Sequence, residues 1–294
     1  MDLTVVKHAT CTYCGCLCDD IELHADRERI VRATHACMLG RAWFFGHPVE
    51  HGRPIALIQG RPATLEAAVD AAAEILDRAH LPLIFGLGNS NTEAQRAALM
   101  LAEEIGGVID SHTSITHGPS KIGAQLVGKV SCTLGEVKNR ADLVIYWGSN
   151  PVETHPRHLT RYTYTATGKF APRGRHDRTL VVVDVRETLT ARAADHFLQV
   201  RPGADFEVLA VLRALIANQP FDASLLDSTG VTPGQLQALV ARIKGAGFGV
   251  FFYGSGLTMT RGKHMNVGSV LSVAAALNAF TKFVAMPMRD YGNE

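Results

Sequence analysis

The sequence predicts an α/β protein: a parallel sheet wrapped by helices, preceded by a small cysteine-rich N-terminal lobe. Three observations predict it. Short apolar runs that end in glycine or a polar turn alternate with helical-period segments, the pattern that parallel βαβ units require. Two of those runs, 142–147 and 179–184, are continuous enough in Val, Ile, Leu and aromatics to be buried on both faces. Five of the six cysteines precede residue 38, ahead of any apolar run long enough to start a core.

The lobe comes first. Cys11, Cys14 and Cys18 follow a C-x2-C-x3-C spacing, and eighteen residues separate Cys18 from Cys37. Between them, 21–24 and 29–32 read as short strands around the polar turn 25–28, a hairpin that returns Cys37 to the neighbourhood of Cys18. Four converging thiolates suit an iron–sulfur cluster or a zinc ion. The alternatives are a disulfide set or thiols that only pack. Disulfides need an oxidising compartment, and the N-terminus shows no secretory leader. The uneven spacing fits a cubane cluster better than zinc's paired knuckles, and Cys16, off the pattern, reads as a spectator. Residues 38–62 read as a connector rich in Gly and Pro. Trp43, Phe44 and Phe45 either shield the cysteine centre or belong to an ordinary core.

The strand–helix alternation begins at residue 64. Thr64 is an N-cap for a helix whose Leu65, Ala68, Val69, Ala72, Ile75 and Leu76 recur at helical spacing. Residues 83–86 form a strand, 86–92 a glycine-bearing turn with only weak anion-cradle character, 93–104 a helix and 108–110 a strand. The polar stretch 111–120 reads as a loop at a strand's C-terminal end, where open α/β sheets place ligands. Strand 142–147 closes at Gly148-Ser149-Asn150, followed by 152–158, dense in groups that donate to phosphate or acid. Strand 179–184 ends in Asp184, a position from which an acid commonly accepts from a ribose. A short helix over 188–195, a strand over 197–200, a helix over 206–216 and one after Thr232-Pro233 follow, the last with Pro in its first turn. Strand 248–253 opens into Gly254-Ser255-Gly256, a long apolar helix covers about 267–280, and a final strand precedes Met286. Segments 163–177 and 218–234 read as the least regular places. His176, His196 and His264 read as surface or satisfied histidines.

Composition sets the remaining bounds. At 294 residues and 47% hydrophobic content the chain can bury a large core. Lys plus Arg number 29 against 28 acids, so no charge footprint argues for nucleic acid or an anionic membrane. No apolar run approaches the roughly 18 residues that span a bilayer. The expectation is a cytoplasmic protein.

Several motifs together resemble a known family: the Cys11–Asp20 run, His117-Gly-Pro-Ser120, the 135–142 segment, Tyr146-Trp-Gly-Ser-Asn-Pro151, His155-Pro-Arg-His158, Asp184-Val-Arg186, Arg261-Gly-Lys-His264 and Pro287-Met-Arg289. They are similar to the B subunit of formylmethanofuran dehydrogenase, within the molybdopterin oxidoreductase superfamily, along essentially the whole chain. The resemblance implies a small Fe-S lobe (1–50), an α/β domain (51–140), a Rossmann-like dinucleotide-type domain (141–250) and a return to the first α/β domain (251–294) that stops short of the family's usual length. It implies Cys11, Cys14, Cys18 and Cys37 as ligands of a 4Fe-4S cluster beside a tungsten or molybdenum bis-pterin. It brings forward Gly148, Ser149, Asn150, Asp184 and Arg186 as a pterin-dinucleotide cradle, and Thr116, His117 and Arg289 as the catalytic set of a redox-active member, which reduces carbon dioxide to formate.

Two departures redirect that implication. Thr116 stands where redox-active members carry a metal-bound cysteine, and a hydroxyl differs from a thiolate in softness and charge. The family also continues well beyond residue 294. Both point to the non-redox branch, the B subunit of a formyltransferase/hydrolase complex, a scaffold working with an amidohydrolase-like A, a C and a formyltransferase D subunit. On that expectation the bis-pterin is lost and the cluster is structural. The alternatives are a catalytic formylmethanofuran dehydrogenase subunit and a stand-alone iron–sulfur protein.

Overall fold

The computed structural model describes residues 3–47, 52–88 and 90–289. Pro48, Asn89 of the 86–92 turn and the last five residues lie outside them. The described chain forms two compact units, one of residues 3–13 and 17–112, the other of 14–16 and 113–289. The α/β class with a parallel sheet is what the structure has.

The first unit opens with an antiparallel sheet in the order β1 (Thr4–Ala9), β2 (Ile21–Ala25), β3 (Ile30–Thr34). The β2–β3 hairpin is the one read from sequence. Its turn is set by the Asp26 carboxylate, which accepts from the Glu28 and Arg29 amides at 2.8 and 2.9 Å. β1 lacks a clear apolar face and so leaves no signal in the sequence. The connector expected over 38–62 contains structure: helix α1 (Met38–Phe45) and the hairpin β4 (Ala56–Ile58) and β5 (Arg61–Ala63). The reason is local, because the Cys37 side chain caps α1 by accepting from the Gly40 amide at 3.4 Å. Helix α2 (Leu65–Asp77) is capped by Thr64, and α3 (Thr92–Glu104) joins the parallel pair β6 (Leu83–Gly86) and β7 (Val108–Ser111).

The second unit carries the main core. Its elements are α4 (Ser114–Val127), α5 (Leu134–Arg140), β8 (Leu143–Trp147), α6 (Pro151–Thr154), α7 (His158–Arg161), β9 (Thr179–Asp184), α8 (Leu189–Ala193), β10 (His196–Gln199), α9 (Asp205–Ile216), α10 (Pro233–Gly245), β11 (Phe248–Tyr253), α11 (Ser255–Thr258), α12 (Lys263–Leu277) and β12 (Lys282–Pro287). The five strands are parallel in the order β10-β9-β8-β11-β12. Alternation along each strand divides the side chains between two cores. Ile145, Trp147, Val181, Val183, Phe251 and Phe283 pack under α9, α10 and α12, while Val144, Tyr146, Leu180, Val182, Phe252 and Val284 pack on the opposite face.

The expected polar loop over 111–120 is instead the start of α4, which runs through Pro119. Its buried stripe includes His117, Ser120 and Gly123, spaced by three, so a helical period is present in residue types that carry no hydrophobic signal. Segment 163–177 is irregular, yet Tyr164, Ala166 and Ala171 are buried, and so are Leu226 and Val231 in 218–234.

Candidate functional site: a glycine-lined crevice at the strand switch point

In the second unit, β8 leads outward to β9 and β10 on one side and is neighboured by β11 and β12 on the other. The order of strands therefore reverses between β8 and β11. Loops leaving the C-terminal ends of such neighbours run in opposite directions and open a crevice, the usual ligand position in this topology. The two loops here are Gly148-Ser149-Asn150 and Gly254-Ser255-Gly256. They meet backbone to backbone. The Gly256 amide donates to the Gly148 carbonyl at 3.0 Å, and the Gly254 amide to the Trp147 carbonyl at 3.1 Å. Gly148 has φ +57°, and a Cβ there would lie 2.8 Å from the Gly256 carbonyl carbon. Only glycine allows this approach. The Gly-Ser-Gly loop after β11 is half of the crevice, and its motif is visible in sequence without pointing to the site.

The walls are polar. Asp184 closes β9 and accepts from the Val185 amide at 2.7 Å. Burial pushes its carboxyl above the usual range, against the pull of the Val185 and Arg186 amides and the Arg186 charge. Behind it, buried Asp205 accepts from the Trp147 indole N–H at 2.8 Å. Burial raises Asp205 too, opposed by that indole bond and assisted by the charge of Asp184. Asn150 is committed within the unit: its Oδ1 accepts from the Thr190 hydroxyl at 2.7 Å and its Nδ2 donates to Glu153. It ties the start of α6 to α8 in this structure. Arg186 is exposed. The glycines are required by the contact of the two loops with each other, and Asp184 and Arg186 stand at the end of the neighbouring strand as an acceptor and an exposed cation.

A hydrogen-bonded block adjoins this loop region. His155 Nε2 donates to the Arg289 carbonyl at 2.7 Å, and the Cys16 thiol donates to the His155 carbonyl at 3.9 Å. Tyr162 donates to the Cys16 carbonyl at 2.7 Å. Residues 14–16 are thus fastened to the second unit, and Cys16, only 2% exposed, is a bolt in that attachment. Sequence spacing marks it a spectator because spacing reads ligand patterns, not packing. Below it, the Tyr146 hydroxyl lies 2.7 Å from His158 Nδ1 and 2.9 Å from Thr163 Oγ1. Burial, assisted by neighbouring His155, pulls His158 down to about 3, so its ring is neutral.

The three residues expected in a catalytic set all lie in the second unit. Thr116 is in the first turn of α4, where its hydroxyl donates to the Thr113 carbonyl at 3.3 Å. His117 is buried on the same helix. Arg289 follows β12, close enough to Lys129 for its charge, after burial, to hold that ammonium below its usual range. Lys121 contributes in the same direction. Neither Lys121 nor Lys129 stands out in the sequence, since isolated lysines carry no motif.

The cysteines divide between the units. Cys11, Cys18 and Cys37 belong to the first, where the Cys11 amide donates to the Cys18 carbonyl at 2.8 Å. Cys11 Sγ and Cys37 Sγ flank one point, at 3.3 and 3.7 Å from a Cβ built on Gly40. Trp43 meets Tyr13 edge-on at 6.1 Å in this lobe. Cys14 belongs to the second unit and is buried. Among the described residues no group of three or more His, Cys, Asp or Glu side chains is gathered as a metal site. Each of these cysteines stands as a thiol rather than in a disulfide, which is the donor type that a metal or cluster takes. No helix of the described chain is long and apolar enough to cross a membrane.

Comparison with known proteins agrees with this topology. The molybdopterin oxidoreductase family model matches residues 61–285. The B subunit of tungsten-containing formylmethanofuran dehydrogenase 2 from Methanocaldococcus jannaschii is 43% identical over 295 residues, covering 98% of this chain and 67% of the relative. The B subunit of the formyltransferase/hydrolase complex Fhc from Methylorubrum extorquens is 36% identical over 100 residues, 33% of this chain and 26% of that protein. The crystal structure of that FhcABCD complex with methylofuran aligns with a TM-score of 0.61 at 24% identity, over 78% of this chain and 59% of the matched chain. The chain thus spans about two thirds of the first relative and less of the matched structure.

Proposed function

This chain belongs to the molybdopterin oxidoreductase family and, within it, to the B-type subunits of formylmethanofuran dehydrogenase, and we propose that it serves a complex of one-carbon, formyl and formate, metabolism. We read it as the scaffold form of that subunit, assembled with partners of the A, C and D type. Thr116 carries this reading. Its hydroxyl is turned into the first turn of α4 and donates to the Thr113 carbonyl, so the position offers a hydrogen-bonded hydroxyl and no thiolate. In this reading Cys11, Cys14, Cys18 and Cys37 hold a structural iron–sulfur cluster, whose ligation supplies folding free energy to the lobe.

A second reading has its own support. The switch-point crevice retains its glycines and Asp184, and the M. jannaschii relative is a tungsten-containing enzyme. In a redox subunit Gly148, Ser149, Asp184 and Arg186 would hold the pterin dinucleotide, and His117 and Arg289 would supply a proton donor and a cation to a carboxylate. A bound tungsten or molybdenum pterin would provide the two-electron redox chemistry.

Elemental analysis of the anaerobically purified complex separates the two. The scaffold reading expects about four irons per chain, no tungsten or molybdenum, and no formate-dependent dye reduction. Tungsten or molybdenum together with dye reduction would overturn it in favour of the redox form. Cys14→Ala is expected to bleach the brown visible absorbance typical of such clusters. A colourless anaerobic protein would overturn the cluster.

A further inference from the structure

The crevice lies at the C-terminal ends of the strands, and a strand the length of β8 places the opposite sheet edge about 17 Å away. That opposite edge has features the site does not use. Two grooves of about 720 and 730 Å³ run side by side along it and share Asp142, Phe170 and Ala246. The rims are basic: Arg173, Arg178 and Arg242 line one groove, Arg140 and Lys282 the other. The two acids among the lining residues are already engaged. Asp142 accepts from the Gly247 and Phe248 amides at 2.7 and 3.0 Å, and Asp177 is paired with Arg173. Among the described residues none of Arg140, Lys169, Arg242, Lys244 and Lys282 is paired with a carboxylate.

Part of this basic character has a plain structural origin. In a parallel α/β unit the helix C-termini gather at this edge, and cations complement their dipoles. Buried Arg178 does this for α5, donating to the Val137 carbonyl at 3.3 Å and to that of Lys138. The dipole explains neither Phe170 nor Phe280. Each aromatic side chain is more than half exposed, at 59% and 56%. Arg140 stands 5.3 Å from the Phe170 ring centroid, Lys169 5.6 Å from the same ring, and Lys244 4.8 Å from that of Phe280. Exposed aromatics flanked by unpaired cations combine a water-excluding anchor with a charge that selects its partner.

We propose that this edge is a docking face for a partner protein presenting an acidic segment with aromatic or aliphatic side chains. Charge complementarity selects that occupant: carboxylates meet Arg140, Lys169 and Lys244, and the segment's apolar side chains cover Phe170 and Phe280. The proposal stands apart from the scaffold reading, because it uses no residue of the crevice or of the cysteine lobe.

The test uses the full 294-residue chain and a fluorescein-labelled peptide of alternating Glu and Phe, followed by anisotropy. Saturable binding is expected, weakening as salt is raised. The pair Arg140→Glu and Lys244→Glu is expected to weaken it by about tenfold or more, as is Phe170→Ser with Phe280→Ser. All four positions are at the surface or half-buried, and circular dichroism checks each variant's fold. Should a double variant unfold, Lys169→Glu alone must still weaken binding. A peptide in which Ser replaces Phe should bind clearly less well. The proposal is overturned if binding is absent, if folded variants bind like the parent chain, or if a uridylate oligomer competes equally, which would mark a general polyanion surface. Self-association in sedimentation that the same substitutions abolish would also overturn it, assigning the face to a second copy of the chain.

Discussion

His158 is a residue whose charge state the fold controls. Burial holds its folded value at about 3 against an ordinary value near 6.5, so the native state keeps the ring neutral while the unfolded chain protonates. The sign follows from linkage: this contribution is fully present above the unfolded value and is lost as pH falls from about 6.5 toward about 3, by up to ~1.4 kcal/mol per pH unit. Denaturant titrations between pH 7 and about 4.5 are expected to show this slope, and His158→Asn to flatten it. An unchanged slope would mean that other groups set the acid response. Gly148 gives a steric test. Gly148→Ala combines φ +57° with a Cβ 2.8 Å from Gly256, whereas Gly60→Ala, at φ +76°, meets nothing within 4 Å. The second should cost about 1 kcal/mol for the backbone alone and the first at least ~2 kcal/mol, read from unfolding midpoints. Equal costs would contradict the loop contact. Residue identity announces Gly148 and Asp184 because each ends an obvious strand. It conceals Asp205 and Cys16, whose roles depend on a partner far along the chain: Trp147 for one, His155 and Tyr162 for the other.

At the scale of elements, legibility tracks hydrophobic period. β8, β9 and β11 are readable because parallel strands buried on both faces become unbroken apolar runs. α10 is readable from its start, and its capping box is present: the Gln235 amide donates to Thr232 Oγ1 at 3.3 Å and the Thr232 amide to Gln235 Oε1 at 2.8 Å. Thr232→Ala is expected to cost about 1 kcal/mol by denaturant unfolding, with Thr232→Ser close to neutral. A neutral alanine variant would show that packing of Leu236, Leu239 and Ile243, not the cap, holds the helix start. α4 escapes notice for the opposite reason. Its inner face is His, Ser and Gly, and Gly123 fits closely against Val267 of α12. Small and polar residues at a helix contact leave no apolar stripe to read. α1 is hidden because its N-cap is a cysteine, a residue read first as a ligand.

At the scale of the molecule, the sequence shows what needs burying and not what is buried. The helical stripe of α2 is correctly periodic, yet no residue of that helix is buried, and Leu65, Val69 and Ile75 are more than half exposed. The neighbouring sheet has two strands, and Leu83 and Phe85 of β6 are exposed as well. A two-stranded sheet with little apolar cover has few interactions to protect its hydrogen bonds. The second unit is the reverse, with β8 buried at every position between two cores. Opening free energies should therefore differ within one chain. Amides of α2, β6, α3 and β7 are expected to exchange with deuterium through local opening, orders of magnitude faster than those of β8, β9 and β11, which should exchange only with global unfolding. Limited proteolysis should cut first within 52–112 and leave a fragment containing the five-stranded sheet. Protection of α2 equal to that of β8 would refute this ordering. If protection of the first unit rises only when a binding protein is added, its exposed apolar residues are covered in the complex. The two measurements together then separate a unit that folds alone from one completed by association.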